Sequence, residues 1–442
     1  MRLLKILVAS LALTAGVAGE AATTAAAWPC WRGPDGSGVA TPCGKPLVDD
    51  LADARVVWRS QEQAIPANAW QGVGTHGGYD SPIVADGKVF LGYFVGSGDI
   101  RDTSVDSKGD AKDDGADGGK DAAKLRQCQA VAATYVVLCA DAATGKTVWK
   151  KELGEGINMY TRRKRPGVHH SACWHDGKVY AQTTLGIVHC LDAKDGKELW
   201  TSPVPKTADL EKVLTAYKKA ARVHPYRGVE PESLKGVGIP YSFLTPLTVA
   251  GGVLVADGGG MLMGLDAATG KEVWQKPYLA GHQAPRRWVV DGKELLIVGK
   301  RCIEPKTGAE VWNIPDAVGG EGAGPAIGEG YIVLSSKAGL HGYAIDAKGA
   351  KAVWTAEGLQ ACMAVGVISH GWYYGQTLIR PTVKREGGDE VEQVVGIELA
   401  TGKRIGPLIL QGVSQTLGTS LVATDGRLFG HAGAGYSGMF MV

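Results

Sequence analysis

Short runs in which apolar and polar residues alternate recur along the whole chain, and turn residues separate them. In one recurrent pattern a run ends in Asp or Glu, a turn usually contains Gly with Lys beside it, and a second run usually carries Trp. Alternation with a period of two predicts β-strands, and a turn of this composition predicts a hairpin. The pattern occurs six times, as DAATGKTVW (141–149), LDAKDGKELW (191–200), LDAATGKEVW (265–274), IEPKTGAEVW (303–312), IDAKGAKAVW (345–354) and IELATGKRIG (397–406).

A second hairpin pattern lies upstream of these. It occurs seven times, as SPIVADGKVFLGY (81–93), SACWHDGKVYAQT (171–183), TPLTVAGGVLVAD (245–257), RRWVVDGKELLIV (286–298), GPAIGEGYIVLSS (324–336), VGVISHGWYYGQT (365–377) and SLVATDGRLFGHA (420–432). Two joined hairpins make a four-stranded unit, and such units at intervals of about 40 residues are the signature of a β-propeller. The sequence therefore predicts an all-β propeller of seven four-stranded blades, with eight blades as the alternative.

The seventh repeat lacks its second hairpin, because only GAGYSGMFMV follows its first and no D-x-x-T-G-x-x-x-W pattern remains. Near the other end, residues 54–60 read ARVVWRS and resemble the missing strand that carries Trp. We predict that this N-terminal strand completes the last blade and leaves no unpaired edge in the ring. The prediction is a single propeller domain over residues 54–442, preceded by a loop segment at residues 28–53.

Two insertions interrupt the repeats. Residues 96–127 are rich in Asp, Gly and Lys, which predicts a disordered acidic loop. A Ca²⁺ loop starting at Asp110 is disfavoured, because Lys112 falls where an oxygen ligand is required. Residues 205–237 contain Leu210, Val213 and Leu214 at helical spacing, so we expect one amphipathic helix on the surface there.

The first 27 residues predict export. Arg2 and Lys5 accompany an apolar run that is followed by small residues, which is the order of a secretory signal peptide. No later run approaches the roughly 18 apolar residues of a membrane span. We expect a periplasmic or secreted monomer. A net charge of +2 leaves no global field for binding nucleic acid.

Export permits disulfides among the eight cysteines. Cys30 and Cys43 bracket a loop rich in Gly and Pro and are the pair that we expect to be bonded. Cys139, Cys190 and Cys302 each stand just before the acidic end of a strand, where we expect small buried apolar side chains. The absence of a CxxC sequence excludes covalent c-type haem and a thioredoxin-like motif.

The pattern A-x-D-x-x-T-G-K-x-x-W, best kept in LDAATGKEVW, resembles the PQQ-like propeller repeat. Quinoprotein dehydrogenases and the outer-membrane assembly lipoprotein B family share that repeat. The opening WPCWRGPDGSGVA is similar to the start of exported PQQ-like repeat proteins of planctomycete-type bacteria. The resemblance implies a propeller in which the repeat Trp packs between blades, and it leaves the function open.

Functional sites of propellers tend to occupy the mouth of the central channel, where each innermost strand begins. Alignment of the upstream hairpins on their turns places polar residues there on some blades only, so we expect a lopsided pocket. For His169 and His170 the alternative to a binding role is that each is a hydrogen-bonded loop histidine. The candidate binding residues are Trp70, Tyr79, Asp80, His169, His170, Arg286 and Arg287.

The same resemblance supplies two functions. Quinoprotein dehydrogenases hold PQQ (pyrroloquinoline quinone) and Ca²⁺ in the channel, stack the quinone on a disulfide of adjacent cysteines, and use an Asp as base. This chain has no adjacent cysteines, and no Ca²⁺ ligand set can be assigned in it. We therefore expect no cofactor, no metal and no catalytic residue, and a binding scaffold for envelope proteins or for a small ligand at the propeller mouth. A PQQ- and Ca²⁺-dependent dehydrogenase of alcohols or sugars is the alternative, with Asp80 as its first candidate base.

Overall fold

The computed structural model describes residues 28–42, 47–62, 76–77, 80–102, 129–161, 165–166, 171–183, 186–203, 223–224, 228–229, 245–257, 261–277, 284–314, 324–336, 338–361, 365–379, 391–409, 420–431 and 439–441. The described part of the chain is almost entirely β. Its single helical element is a 3-10 turn at Leu51–Asp53, capped by the Asp50 carboxylate. No described helix is long and apolar enough to cross a membrane.

Seven antiparallel sheets follow one another in chain order in the described residues. Sheet 1 contains β1 (His76–Gly77), β2 (Ile83–Ala85), β3 (Lys88–Asp102), β4 (Gln129–Asp141), β5 (Thr147–Thr161) and β6 (Arg165–Pro166). Sheet 2 contains β7 (Cys173–His175), β8 (Lys178–Gln182), β9 (Ile187–Asp192) and β10 (Glu198–Pro203). A two-stranded ribbon, β11 (Val223–His224) and β12 (Gly228–Val229), comes next.

The remaining five sheets complete the series. Sheet 3 contains β13 (Thr248–Ala250), β14 (Val253–Asp257), β15 (Met261–Asp266) and β16 (Glu272–Pro277). Sheet 4 contains β17 (Arg286–Val290), β18 (Lys293–Val298), β19 (Arg301–Ile303) and β20 (Glu310–Asn313). Sheet 5 contains β21 (Ala326–Gly328), β22 (Tyr331–Ser335), β23 (Gly339–Asp346) and β24 (Gly349–Glu357). Sheet 6 contains β25 (Gln360–Ala361), β26 (Val367–Ser369), β27 (Trp372–Ile379), β28 (Val391–Glu398) and β29 (Arg404–Ile409). Sheet 7 contains β30 (Val422–Thr424), β31 (Arg427–His431) and β32 (Met439–Met441).

All seven upstream hairpins form with the predicted turns. At the first of them Asp86 and Gly87 both have positive φ, +48° and +68°. Two consecutive residues with positive φ are the requirement of a type I′ turn, whose twist matches that of the flanking strands. The equivalent pairs are Asp176–Gly177, Gly251–Gly252, Asp291–Gly292, Glu329–Gly330, His370–Gly371 and Asp425–Gly426.

The D-x-x-T-G signature closes the downstream hairpins through its own side chains. The Asp141 carboxylate accepts hydrogen bonds from the backbone N–H of Thr144 at 2.8 Å and from its hydroxyl at 2.7 Å. Asp266 and Thr269 repeat both contacts in sheet 3. These hydrogen bonds to the ionised form lower the pKa of Asp141 and of Asp266, the Thr hydroxyl being the largest cause.

The repeat Trp joins neighbouring sheets, as predicted. Trp149 of sheet 1 donates its indole N–H to the carbonyl of Ala193 in sheet 2 at 3.2 Å. A Cβ on Gly196 would lie 2.8 Å from the Trp149 ring, so the glycine of the T-G or D-G turn is required for this contact. The same indole hydrogen bond to the next sheet is made by Trp274 to Pro305, Trp312 to Asp346 and Trp354 to Leu399.

The innermost strands of most neighbouring sheets lie side by side. Contacts join β2 to β7, β7 to β13, β13 to β17, β21 to β26, and β26 to β30. Apolar clusters fill the spaces between neighbouring sheets, for example the cluster of Phe90, Val137 and Leu191 between sheets 1 and 2. The predicted all-β propeller is confirmed; the number of blades that close the ring stays a prediction.

Residues 54–60 form no strand in the structure, and among the described residues they have no ladder with Met439–Met441. Their Trp nevertheless occupies the position of a repeat Trp. Trp58 donates to the carbonyl of Ala142 in sheet 1, and a Cβ on Gly145 would lie 2.5 Å from its ring. Directly before the repeat Trp, or before its Gly406 counterpart, stands one exposed aliphatic residue, namely Val57, Val148, Leu199, Val273, Val311, Val353 or Ile405.

The insertions differ in part from expectation. Strand β3 continues to Asp102 and so extends into the segment predicted as a loop from residue 96. Ribbon β11–β12 lies within the 205–237 insertion. Residues 103–128 and most of the predicted helix lie outside the described residues, as does the predicted signal peptide.

Candidate functional site

The predicted mouth of the channel is in contact with the chain's own residues 28–40, here called the N-terminal segment. Trp28 exchanges backbone hydrogen bonds of 2.6 and 2.9 Å with Val84 of β2. The backbone N–H of Trp174 in sheet 2 donates to the carbonyl of Pro29 at 2.6 Å. At its far end the segment exchanges backbone hydrogen bonds with Ala423 of β30, through Gly38 and Ala40. One short segment therefore joins the first, second and last sheets.

Arg32 anchors the middle of this segment. Its side chain is buried and donates to the carbonyls of Leu421, Gly366 and Ser37, each at 2.7 Å. The two distant acceptors directly precede β30 and β26, so the guanidinium links sheets 6 and 7. Burial lowers the pKa of Arg32 to about 10. The residue has a φ of +69°, a conformation sustained by the surrounding contacts.

Arg286 is also buried, with 1% of its surface exposed. Its Nη1 donates to the carbonyl of Pro325, which directly precedes β21, and lies 3.5 Å from the carbonyl of Gly36. The guanidinium carbon stands 5.2 Å from the centre of the Trp31 ring, a cation–π contact. Burial, and next the charge of Arg32, hold the pKa of Arg286 well below its ordinary value.

Arg287 forms an ion pair with Glu294 across the β17–β18 hairpin, with Nε and Nη2 at 3.0 and 2.5 Å from Oε1. Its Nη1 donates to the carbonyl of Pro34 in the N-terminal segment at 3.2 Å. The hydrogen bond from Arg287 is the main cause that lowers the pKa of Glu294. Both arginines of β17 thus contact the N-terminal segment.

Asp80 lies at the start of the innermost strand of sheet 1, as predicted. Its carboxylate accepts a hydrogen bond from the hydroxyl of Tyr135. A side chain on Gly92 would overlap both of these groups, so the glycine makes room for the pair. Burial, and next the negative charge of Asp80, hold the pKa of Tyr135 well above its ordinary value. Beside this pair, the Ser81 N–H donates to the Ser171 hydroxyl at 2.9 Å.

The structure brings together only part of the predicted set. Arg286 and Arg287 meet at the N-terminal segment, and Asp80 lies on sheet 1. Trp70, Tyr79, His169 and His170 lie outside the described residues and stay predictions. Sequence reasoning missed Arg32, although it stands in the W-R-G-P motif that carried the resemblance.

One of the two cysteine predictions is confirmed, and the other is not tested by the described residues. Cys139, Cys190 and Cys302 are fully buried with free thiols, as predicted. The Cys30 thiol donates to the carbonyl of Gly33 at 2.7 Å, and a hydrogen bond with Cys173 is the main cause that raises its pKa. Cys43 lies outside the described residues, so the Cys30–Cys43 bond stays a prediction.

The described residues contain no group of three or more His, Cys, Asp or Glu side chains arranged to hold a metal ion.

Comparison with known proteins gives a family and a partial relative. The family model of the outer membrane protein assembly factor BamB, a model of PQQ-like repeats, matches residues 133–301 and residues 258–416, together more than half of the chain. The 1-butanol dehydrogenase (cytochrome c) of Thauera butanivorans is 27% identical over 155 residues, which are 35% of this chain and 18% of that protein. This chain therefore matches less than a fifth of that relative's length.

Two solved structures are among those with similar chain traces. BamB from Moraxella catarrhalis is 15% identical, with 69% of this chain and 78% of that chain covered and a TM-score of 0.42. A europium-containing methanol dehydrogenase is 12% identical, with 84% and 79% covered and a TM-score of 0.46. The fold assignment rests on the family model and on the seven sheets.

Proposed function

This chain belongs to the BamB family of PQQ-like repeat proteins, and on that premise we propose that it is a non-catalytic binding scaffold of the cell envelope. The periplasm or the exterior of the cell is the location that the predicted signal peptide favours. Envelope proteins or a small ligand are the proposed partners. The rim of the propeller presents loops from several sheets, which suits binding.

The observation that carries the proposal is the docking of the N-terminal segment where the innermost strands begin. Arg32 and Arg286 direct their hydrogen bonds to backbone carbonyls of the chain itself. Arg287 is held by Glu294 and Pro34. A large planar ligand at this end would have to displace these contacts, and burying the displaced charges without partners costs about 3–5 kcal/mol in typical cases.

The residues at this end also fit Ca²⁺ poorly. Calcium takes six to eight oxygen ligands, mostly from carboxylates and carbonyls. Here two buried guanidinium groups lie close enough for the charge of Arg32 to lower the pKa of Arg286. A divalent cation beside them would meet the same repulsion.

A second function, PQQ-dependent oxidation of alcohols or sugars, is favoured by the partial match to 1-butanol dehydrogenase. Asp80 is the first candidate base in that case. Its carboxylate accepts from the buried Tyr135 hydroxyl, so a base at this position would have an oriented carboxylate.

Dye-linked oxidation assays separate the two proposals. The purified protein is incubated with PQQ, Ca²⁺ and primary alcohols or sugars, beside a quinoprotein alcohol dehydrogenase as positive control. We expect dye reduction no faster than without protein. Saturable PQQ binding together with substrate-dependent dye reduction, lost in Asp80→Asn, would establish the dehydrogenase instead.

The scaffold itself is tested by retention of periplasmic proteins on the immobilised chain. We expect His170→Ala to lower retention of specific proteins, identified by mass spectrometry. The matched control is His175→Ala, at the exposed opposite end of β7. Equal retention by both variants and the wild type would contradict a partner site at the predicted mouth. Arg286→Ala is a poor test, because the buried side chain also stabilises the fold.

A further inference from the structure

One edge of the Arg286 guanidinium has no acceptor among the described residues. Nη1 donates to Pro325 and faces Gly36, whereas Nε and Nη2 are buried without a hydrogen-bond partner in the described part of the chain. An unpaired buried donor costs about 1–3 kcal/mol, and more when it is charged. We therefore expect a hydrogen-bond acceptor at the Nε and Nη2 atoms in the native protein.

The two open donors are adjacent. Nε and Nη2 form the side of the guanidinium that presents two parallel N–H groups. This fork matches the two oxygens of a carboxylate, phosphate or sulfate group, and such bidentate contacts are among the strongest hydrogen bonds in proteins. Two parallel donors fit the two oxygens of an oxyanion better than a single halide ion, which both N–H groups would have to share.

The positive charges of Arg32 and Arg286 also favour an anion at this edge. Arg32 and Arg286 are both buried, and neither forms an ion pair with a described carboxylate. The Asp35 side chain is exposed and accepts from the Ser37 N–H at 3.0 Å. The charge of Asp35 raises the pKa of Arg32, but burial and the charge of Arg32 are the only causes that act on Arg286. Buried charges are normally paired, so Arg286 lacks a counter-charge within the described residues.

Glycine leaves room at the open edge. A Cβ on Gly324 would lie 2.8 Å from Nη2 of Arg286. The backbone of Gly324 does not have the positive φ that would itself require glycine. The absence of a side chain at this position thus keeps the edge uncovered.

We propose that the Nε–Nη2 edge of Arg286 binds an oxyanion between β17 and the strand entry at Gly324. The negative charge of the anion reduces the repulsion between Arg32 and Arg286 and stabilises the docked N-terminal segment. Because Arg286 is 1% exposed, the bound group is small, either a free inorganic oxyanion or the carboxylate of a small molecule.

The test is the midpoint of thermal unfolding in titrations of sulfate or acetate at constant ionic strength, with chloride as the replaced ion. A ligand that binds only the native state raises the midpoint in proportion to the logarithm of its concentration above Kd. The key variant is Gly324→Ala, which obstructs the edge and keeps both charges. Gly349→Ala is the matched control, since a Cβ there meets nothing within 4 Å.

We expect sulfate or acetate to raise the midpoint of the wild type and of Gly349→Ala at millimolar concentration. Gly324→Ala and Arg286→Lys are expected to lose at least tenfold in apparent affinity. An effect of sulfate alone identifies an inorganic oxyanion, and an effect of acetate identifies a carboxylate ligand. Equal shifts in all four proteins would reflect a general salt effect and overturn the proposal, as would no shift in the wild type. If Arg286→Lys does not fold, Gly324→Ala decides.

Discussion

Trp58 donates its indole N–H to the carbonyl of Ala142 at 2.9 Å, the contact that Trp149 makes with Ala193 one sheet later. Trp58 thus contacts sheet 1 in the way that the repeat Trp of one sheet contacts the next sheet. In a closed ring, the sheet before sheet 1 would be the last one. This equivalence supports the proposal that residues 54–60 stand at the outer edge of the last blade.

Replacing Trp58 by Ala is expected to destabilise the protein by about 2 kcal/mol, since a half-buried ring and one hydrogen bond are lost. Urea denaturation followed by circular dichroism measures the change. Val57→Ala is the control, because Val57 is 80% exposed. Equal stability of the two variants would mean that residues 54–60 do not hold the ring closed.

Gly342→Ala is expected to destabilise the chain by about 1–3 kcal/mol, the usual cost of overpacking. Gly342 lies on β23, and a Cβ there would overlap the Trp354 ring. Gly349→Ala on the neighbouring strand adds the same methyl group in open space. The difference in unfolding midpoint between the variants reports how closely the repeat Trp packs on the strand. A midpoint shared by both would refute this packing.

Acid is expected to weaken the Asp-Thr turns. The folded pKa of Asp141 is lowered by its hydrogen bonds with Thr144, so the stabilisation is present above the unfolded pKa and is lost as pH falls through the folded pKa. Asp141→Asn should therefore lower the unfolding midpoint more at pH 7 than at pH 3. Asp53→Asn, in the exposed 3-10 turn, is the control. A deficit independent of pH would show that the charge of Asp141 is unimportant.

Arg32→Ala is expected to release the N-terminal segment, because three hydrogen bonds to carbonyls are lost at a buried site. The change should cost about 3 kcal/mol or more. Limited proteolysis with mass mapping should show new cleavage within residues 28–42. Arg59→Ala removes an exposed arginine and should leave that segment protected. Protection in both variants would mean that backbone contacts alone hold the segment.

The Cys30 thiol is expected to react slowly with iodoacetamide at pH 8 in the folded, reduced protein. Its pKa is raised by the hydrogen bond with Cys173 and by burial, and the reactive thiolate is therefore scarce. Arg32→Ala should accelerate the reaction. Peptide mapping of a separate sample, purified and digested without reductant, tests the predicted Cys30–Cys43 bond. Rapid alkylation of the wild type would show that the N-terminal segment is not docked in solution.

The repeats were predictable because the residues within each turn determine its conformation. Asp86-Gly87 dictates a type I′ turn, and Asp141 with Thr144 closes the next hairpin through atoms three residues apart. The site was less predictable. Arg286 stands at the expected strand entry, but its contact with Gly36 joins residues 250 positions apart, and no local pattern encodes such a pairing.

The attachment of the N-terminal segment to Ala423 has a consequence for the order of folding. The N-terminal segment is made long before β30, the strand that holds its far end. Until then Arg32 lacks its carbonyl acceptors at Gly366 and Leu421, and Trp28 can engage only sheet 1. Contacts of such long sequence separation slow folding. The chain therefore keeps an open, association-prone rim until sheet 7 has been made and has bound the N-terminal segment.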